Sequence, residues 1–215
     1  PVLFPIVGAL KDETVRIGGR EYHMKRHGFA RRSRFTRLPS PPDALAFELG
    51  PGGKTMRQYP FRFRLRVTHT LTDDGFAVAY EVRNEDARPM PFAIGGHQSI
   101  RCPARAGESF SDYEVAFAEP EDRQAMTLDE NGLLSPGRRV TVLEPDGRTL
   151  PLRYETFDGD ALVFPHVRSR RVRLRSRRTG AGVQLRFDGF CDLGIWTPAG
   201  KRAPFLCLEP WQGMA

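Results

Sequence analysis

The stretch Phe61-Arg62-Phe63-Arg64-Leu65-Arg66-Val67-Thr68-His69-Thr70-Leu71 alternates apolar and polar side chains with a period of two. Successive side chains of a strand point to opposite faces, so this pattern predicts a half-buried β-strand with Arg62, Arg64 and Arg66 on its wet face. Thr72-Asp73-Asp74-Gly75 then supplies a turn, and Phe76, Val78, Tyr80 and Val82 share one face of a returning strand, completing a hairpin. The same grammar recurs at Arg171 to Arg175, a Thr179-Gly180-Ala181-Gly182 turn, and a strand carrying Val183, Leu185 and Phe187. A weaker strand is predicted from Val140 to Leu143, closed by Pro145-Asp146-Gly147. No window of eleven or more residues places apolar side chains at i, i+3, i+4 and i+7, and 21 Gly and 18 Pro punctuate the chain. The expectation is an all-β protein, a large sandwich of antiparallel sheets.

The 215 residues suffice for one large or two small domains at ~100–200 residues each. Strand patterning continues on both sides of Pro39-Ser40-Pro41-Pro42 and Gly50-Pro51-Gly52-Gly53, so these read as loops and residues 1–215 as a single domain. The first residue is Pro1, and both ends read as the middle of packed segments, which suggests a fragment. Apolar residues at 40% and charged residues at 27% exclude a disordered tail, and no apolar run approaches the ~18 residues of a membrane span. Cys102, Cys191 and Cys207 cannot all pair internally and form no C-x-x-C motif, so they read as free buried thiols of a cytoplasmic protein.

Net charge is +7, from 33 basic and 26 acidic residues, and only Lys11, Lys25, Lys54 and Lys201 are lysines. The arginines are scattered among acids, whereas a nucleic-acid binder would gather them on one element, so neither a nucleic-acid nor a membrane partner is expected. Gly53-Lys54-Thr55 resembles the end of a phosphate-binding loop, but Glu48 stands where that motif needs glycine and no helix pattern follows. There is no G-x-S-x-G, and Ser99 lacks the strand-to-helix context of a nucleophile. His23 and His27 would share a metal only on a helix, so no metal is expected.

Three segments set titratable residues in apolar or glycine-rich surroundings: Arg26-His27-Gly28-Phe29-Ala30-Arg31, Pro91-Phe92-Ala93-Ile94-Gly95-Gly96-His97, and Ala203 to Trp211 with Glu209 ending an apolar run. Apolar surroundings raise a carboxylate's pKa and make Glu209 a candidate general base, although a solvent-facing strand end explains it too. His97 is either a core imidazole held by a backbone carbonyl or a general acid beside glycines that let a ligand approach. Trp211 offers a flat face of the kind that stacks on a sugar ring. If His97 faces Glu209 across a pocket with room for a pyranose between them, the carboxylate supports the imidazolium and the two form an acid–base pair.

Leu3-Phe4-Pro5-Ile6-Val7-Gly8, His27-Gly28-Phe29-Ala30-Arg31, Pro91 to His97 and Glu209-Pro210-Trp211-Gln212-Gly213 together resemble the aldose 1-epimerase (galactose mutarotase) family, in particular its LacX-like branch, in order and spacing along essentially the whole chain. The resemblance implies a galactose mutarotase-like supersandwich that here lacks N- and C-terminal strands. It implies cofactor-free interconversion of the α and β anomers of a free aldohexose, a small-molecule sugar being the partner. By motif position, His97 would protonate the ring oxygen and Glu209 would take the anomeric hydroxyl proton. His27, Arg31, Asp160 and Trp211 would bind the sugar, with Asp158 an alternative to Asp160. The sequence departs from the pattern at Gln98, Ser99 and Ile100, where the branch shows Pro-Ala-Phe, and at Arg32, where it often has an acid. Arg32 and Arg34 make a phosphorylated hexose conceivable, since guanidinium forks suit phosphate oxygens. A non-catalytic sugar-binding sandwich is the competing class.

Overall fold

A computed structural model describes residues 1–215, apart from the side chain of Pro136. In chain order the strands of the described residues are β1 (Val2–Leu3), β2 (Thr14–Ile17), β3 (Arg20–His23), β4 (Thr36–Leu38), β5 (Ala44–Leu49), β6 (Phe63–Thr72), β7 (Gly75–Asn84), β8 (Ile94–Gly96), β9 (Gln98–Arg101), β10 (Tyr113–Phe117), β11 (Gln124–Leu128), β12 (Leu134–Thr141), β13 (Thr149–Pro151), β14 (Leu162–Phe164), β15 (Arg171–Ser176), β16 (Gly182–Arg186), β17 (Asp192–Trp196) and β18 (Phe205–Gln212). They pair antiparallel in sheets of eight, four, four and two strands, which is the expected all-β class. No helix among the described residues is long and apolar enough to cross a membrane.

The alternating stretch becomes β6, and the predicted hairpin forms with Thr72 opposite Gly75 around an Asp73-Asp74 turn. Phe63, Leu65 and Val67 are buried. On the other face Arg64 pairs with Glu48 and Glu85, and Arg66 with Glu48 and Glu81, so these arginines stand on a solvated, ion-paired surface. Leu71 and Phe76, opposite one another at the tip, project beyond the core and are exposed. In the second hairpin β15 runs on to Ser176, whose hydroxyl accepts the N–H groups of Arg178 and Thr179 and moves the turn ahead of the expected position.

Two expectations need correction. Of the weak strand predicted at Val140 to Leu143, only Val140 and Thr141 are in a strand, as the tail of the longer β12, which pairs with β11 across a register shift between Met126 and Thr127. Polar Arg138 and Arg139 and the nearby Gly137 hid it, because an interrupted ladder does not keep a clean period of two. Gly53–Met56 forms one α-helical turn where no helix was expected, with the Thr55 hydroxyl and the Gly52 N–H bonded to each other. A single turn is too short to leave a periodic signature.

The eight-stranded sheet runs β1-β8-β18-β17-β14-β11-β12, with β9 also paired to β18. One of its faces contributes Leu162, Phe164, Leu193, Ile195, Leu206 and Leu208 to a core shared with Val115, Leu150, Val172 and Leu174 of the β13-β10-β15-β16 sheet. Because the strand period is two, Cys207, Glu209 and Trp211 of β18 then face the other way. A second core under the β4-β5-β6-β7 sheet gathers Phe4, Phe29, Tyr59, Phe61 and Phe63 in edge and tilted ring contacts. Phe190 packs against both cores.

Gly28 joins that second core to the site. Its φ is +69°, it forms a bridge with Phe4, and a Cβ there would collide with the Phe4 carbonyl that receives the N–H groups of Phe29 and Ala30 at 3.1 and 3.2 Å. Gly28→Ala should therefore destabilise the fold by about 2 kcal/mol or more, the left-handed penalty adding to the collision. The check is a lowered urea midpoint at unchanged slope.

Candidate active site

On the face of β18 turned away from the main core, Glu209 is 3% exposed and ends the apolar run Phe205 to Leu208. Its neighbour across the ladder is Gly194 of β17, and Trp211 lies opposite Gly95 of β8. These two glycines form the floor beneath the Trp211 ring. A Cβ at Gly95 or at Gly194 would run into the indole, so only residues without side chains let it lie flat across three strands. Gly95 thus serves the tryptophan as much as any ligand.

His97 sits in the break between β8 and β9, its N–H bonded to the Pro1 carbonyl at 3.1 Å. Its ring meets Trp196 edge-on at 5.8 Å and His27 at 6.1 Å between centroids. Its Nε2 stands 3.3 Å from Glu209 Oε1. His97 and Glu209 converge as expected, but their placement is corrected: they are side by side, with no space for a sugar ring between them. Gly96, which shares a strand end with His97, and the common partner β18 bring the two groups to the same wall.

His27 has φ +64°, and together with Gly28 this left-handed pair turns its imidazole inward. The Gly8 N–H donates to His27 Nδ1 at 3.1 Å, which leaves the proton on Nε2 as a donor. Burial first, then the guanidinium of Arg31, then His97, Arg26 and Arg32 push His27 down to about 3, so it stays neutral at physiological pH.

His97, Glu209, His27, Arg31, Asp160 and Trp211 all line one cavity of about 200 Å³. That is smaller than the ~300–1,000 Å³ of sites for drug-sized ligands, so the cavity suits a small ligand. Of the two adjacent acids, Asp160 lines the cavity and Asp158 does not. Arg32 and Arg34 are also outside its lining, so the two guanidiniums expected near a phosphate are not on its wall, where Arg26 and Arg31 stand instead. Ser99 bonds Cys207 Sγ at 3.1 Å and takes no part.

Two further lining residues, Trp196 and Arg26, were given no role by the sequence reading. Trp196 shows no motif, and only the alternation of β17 with Leu193 and Ile195 in the core places it on the cavity face. Arg26 reaches across the cavity to the Gly132 carbonyl at 3.1 Å and to Asp160 at 3.9 Å, where a Cβ on Gly132 would strike its guanidinium. Its position next to His27 was the available signal.

The electrostatics also correct an expectation. Burial raises the Glu209 carboxyl to about 8, with Asp160 adding to the rise and the Arg31 guanidinium opposing it. Burial first, and then the Arg31 guanidinium, lower His97 to about 4. The carboxylate therefore does not lift the imidazole, because desolvation is the largest influence on both groups. Between about pH 4 and about pH 8 the pair holds one proton. His97 Nδ1 and Trp211 Nε1 are buried and have no hydrogen-bond partner among the described residues.

The sequence of residues 3–215 matches the family model for aldose 1-epimerase. The chain belongs to the aldose 1-epimerase family. It is 35% identical over 222 residues to the chromosomal protein LacX of Lactococcus lactis, covering all of this chain and 74% of that protein. A solved structure of a galactose mutarotase related enzyme from Lactobacillus acidophilus is 30% identical and superimposes with a TM-score of 0.90, covering all of this chain and 71% of that one. A galactose mutarotase-like protein from Lactobacillus casei, also 30% identical, gives a TM-score of 0.86 with all of this chain and 73% of that one covered. The sheet arrangement of this aldose 1-epimerase family member is thus the galactose mutarotase-like sandwich expected from its motifs.

Placing a methyl group at Gly194 tests the glycine floor. Gly194→Ala should cost about 1–3 kcal/mol in denaturant unfolding. In a Trp211→Ala background the same change should be close to neutral, since the indole is what the new group meets.

Proposed function

We propose that the chain is a cofactor-independent mutarotase that interconverts the α and β anomers of a free aldohexose, with His97 and Glu209 as the proton-transfer pair. The observation that carries this reading is the 3.3 Å approach of His97 Nε2 to Glu209 Oε1 on the wall of a small cavity. The ring oxygen and the anomeric hydroxyl oxygen are both bonded to C1. A donor for one and an acceptor for the other must therefore be neighbours, which is how these groups stand.

Below the upper limb near pH 8 the pair's single proton can sit on either group. A sugar whose anomeric O–H donates to Glu209 favours the charged carboxylate and so moves the proton to His97. His97 then protonates the ring oxygen while Glu209 takes the anomeric hydroxyl proton. The C1–ring-oxygen bond breaks, C1 becomes an aldehyde, and rotation about C1–C2 presents the other carbonyl face. Reversal of the two transfers closes the ring with C1 inverted and returns the proton to the pair. His27 Nε2–H, Arg31 and Asp160 would hold sugar hydroxyls, and Trp211 would lie against the ring's C–H face. Residues 1–215 would act as one domain, and three unpaired cysteines suit a cytoplasmic setting.

Polarimetry of freshly dissolved α-glucose or α-galactose should show mutarotation faster than buffer alone. His97→Asn and Glu209→Gln should each slow it by ~10²–10⁴-fold with sugar binding retained. Binding that persists in a wild-type protein with no acceleration would instead indicate a sugar-binding sandwich. The pH dependence of kcat/KM should be a bell. Below about 4 both groups carry protons and no base remains, and above about 8 neither does and no acid remains.

A further inference from the structure

A second cluster of chemically active side chains lies away from the sugar cavity, at the end of the β14–β17 pair. The ladder continues past Phe164 as Val167 N–H donates to the Cys191 carbonyl at 2.8 Å and His166 N–H donates to Asp192 Oδ1 at 2.9 Å. His166 is held at φ +52°, a left-handed conformation that residues other than glycine seldom adopt. This pins its imidazole beside Cys191 and Asp192. The donor atoms of the three side chains, His166 nitrogen, Cys191 Sγ and an Asp192 oxygen, all lie within 4.8 Å of one another. Cys191 Sγ is 3.3 Å from Asp192 Oδ2, and His166 Nδ1 is 3.9 Å from Asp192 Oδ1.

We propose that His166, Cys191 and Asp192 form a binding site for a divalent transition-metal ion, zinc being the ion that suits their chemistry. Two observations carry this beyond mere proximity. First, tetrahedral zinc with bonds of about 2.0–2.3 Å separates its ligand atoms by about 3.3–3.8 Å, and each Asp192 oxygen stands near that range from one partner, Oδ2 at 3.3 Å from Cys191 Sγ and Oδ1 at 3.9 Å from His166 Nδ1. Second, Asp192 is 1% exposed, and the one cationic group at ion-pair distance among the described residues is His166, which is charged only when protonated. The two Asp192 oxygens accept the His166 backbone N–H and the Cys191 thiol, so the carboxylate is oriented by hydrogen bonds while no permanent cation among the described residues neutralises it, and a bound cation would do so.

The mixed nitrogen, sulfur and oxygen donors favour zinc over magnesium or calcium, which take oxygen sets. Metal binding displaces the thiol proton that Cys191 now donates to Asp192. His166 is 86% exposed at its side chain, so the fourth position opens to water and the site would load reversibly. The ion would clip the loop after β14 to the start of β17. The residues are 25 positions apart in no recognisable metal motif, which is why the sequence alone did not bring them together. The other group with ligand chemistry, His97, Cys207 and Glu209, belongs to the sugar cavity and serves as the internal comparison.

The test uses the metal-free chain titrated with Co²⁺ and followed by the near-ultraviolet thiolate-to-cobalt charge-transfer band. One equivalent should saturate the band, Zn²⁺ should displace it, and Zn²⁺ should raise the melting temperature. Cys191→Ala should abolish the band, His166→Ala should weaken binding at least about tenfold, and Cys207→Ala should leave it intact. The exposed His166 side chain makes its variant safe for folding. The proposal is overturned by the absence of a band at millimolar Co²⁺, by unchanged affinity in His166→Ala, or by a band lost in Cys207→Ala and kept in Cys191→Ala.

Discussion

A carboxyl 3% exposed and an imidazole beside it, 3.3 Å apart, can share one proton without leaving a net charge in the protein, whereas two protons or none would bury a full charge. That constraint organises the cavity. It explains why desolvation drives the two groups in opposite directions, Glu209 up to about 8 and His97 down to about 4, and so keeps the one-proton state over the neutral range. A pair locked in this state is both an acid and a base at once. The nearby Arg31 guanidinium opposes the rise at Glu209 and deepens the fall at His97.

The fold supplies the burial through the period of a single strand. Leu206 and Leu208 anchor β18 in the main core, and the alternate residues Cys207, Glu209 and Trp211 are thereby fixed on the cavity face. Neighbouring strands contribute Gly95 and Gly194, whose missing side chains accept the indole and flatten the wall. From the other core, Gly28 and the left-handed His27 carry a second imidazole to the same space, oriented by Gly8. The site is therefore built where two cores meet, and each core contributes through backbone conformations that glycine makes accessible.

Much of this could be read from the residues because strong local rules govern it. The hairpin of β6 and β7 follows from unbroken alternation and an Asp-Asp-Gly turn, and the arginines of β6 are on the wet face as their parity requires. The six candidate site residues were found from motifs and all line one cavity. What stayed hidden depends on three-dimensional detail. The side-by-side stance of His97 and Glu209 comes from the break between β8 and β9 against β18, which no periodicity encodes. The direction of the His97 shift depends on how completely water is excluded, and burial is a property of the assembled sheet. Trp196 lacked a flanking signal, and β12 was obscured by its irregular register with β11.

The most direct measurement of the one-proton pair is a pH titration of ¹⁵N-labelled imidazole in the full chain, resolving His97 in the wild type and in Glu209→Gln. The account predicts no free-histidine transition at His97 near 6.5: the pair should lose its last shared proton only near 8 and take up a second only near 4. A His97 that titrates near 6.5 in both proteins, indifferent to the carboxyl beside it, would contradict the account.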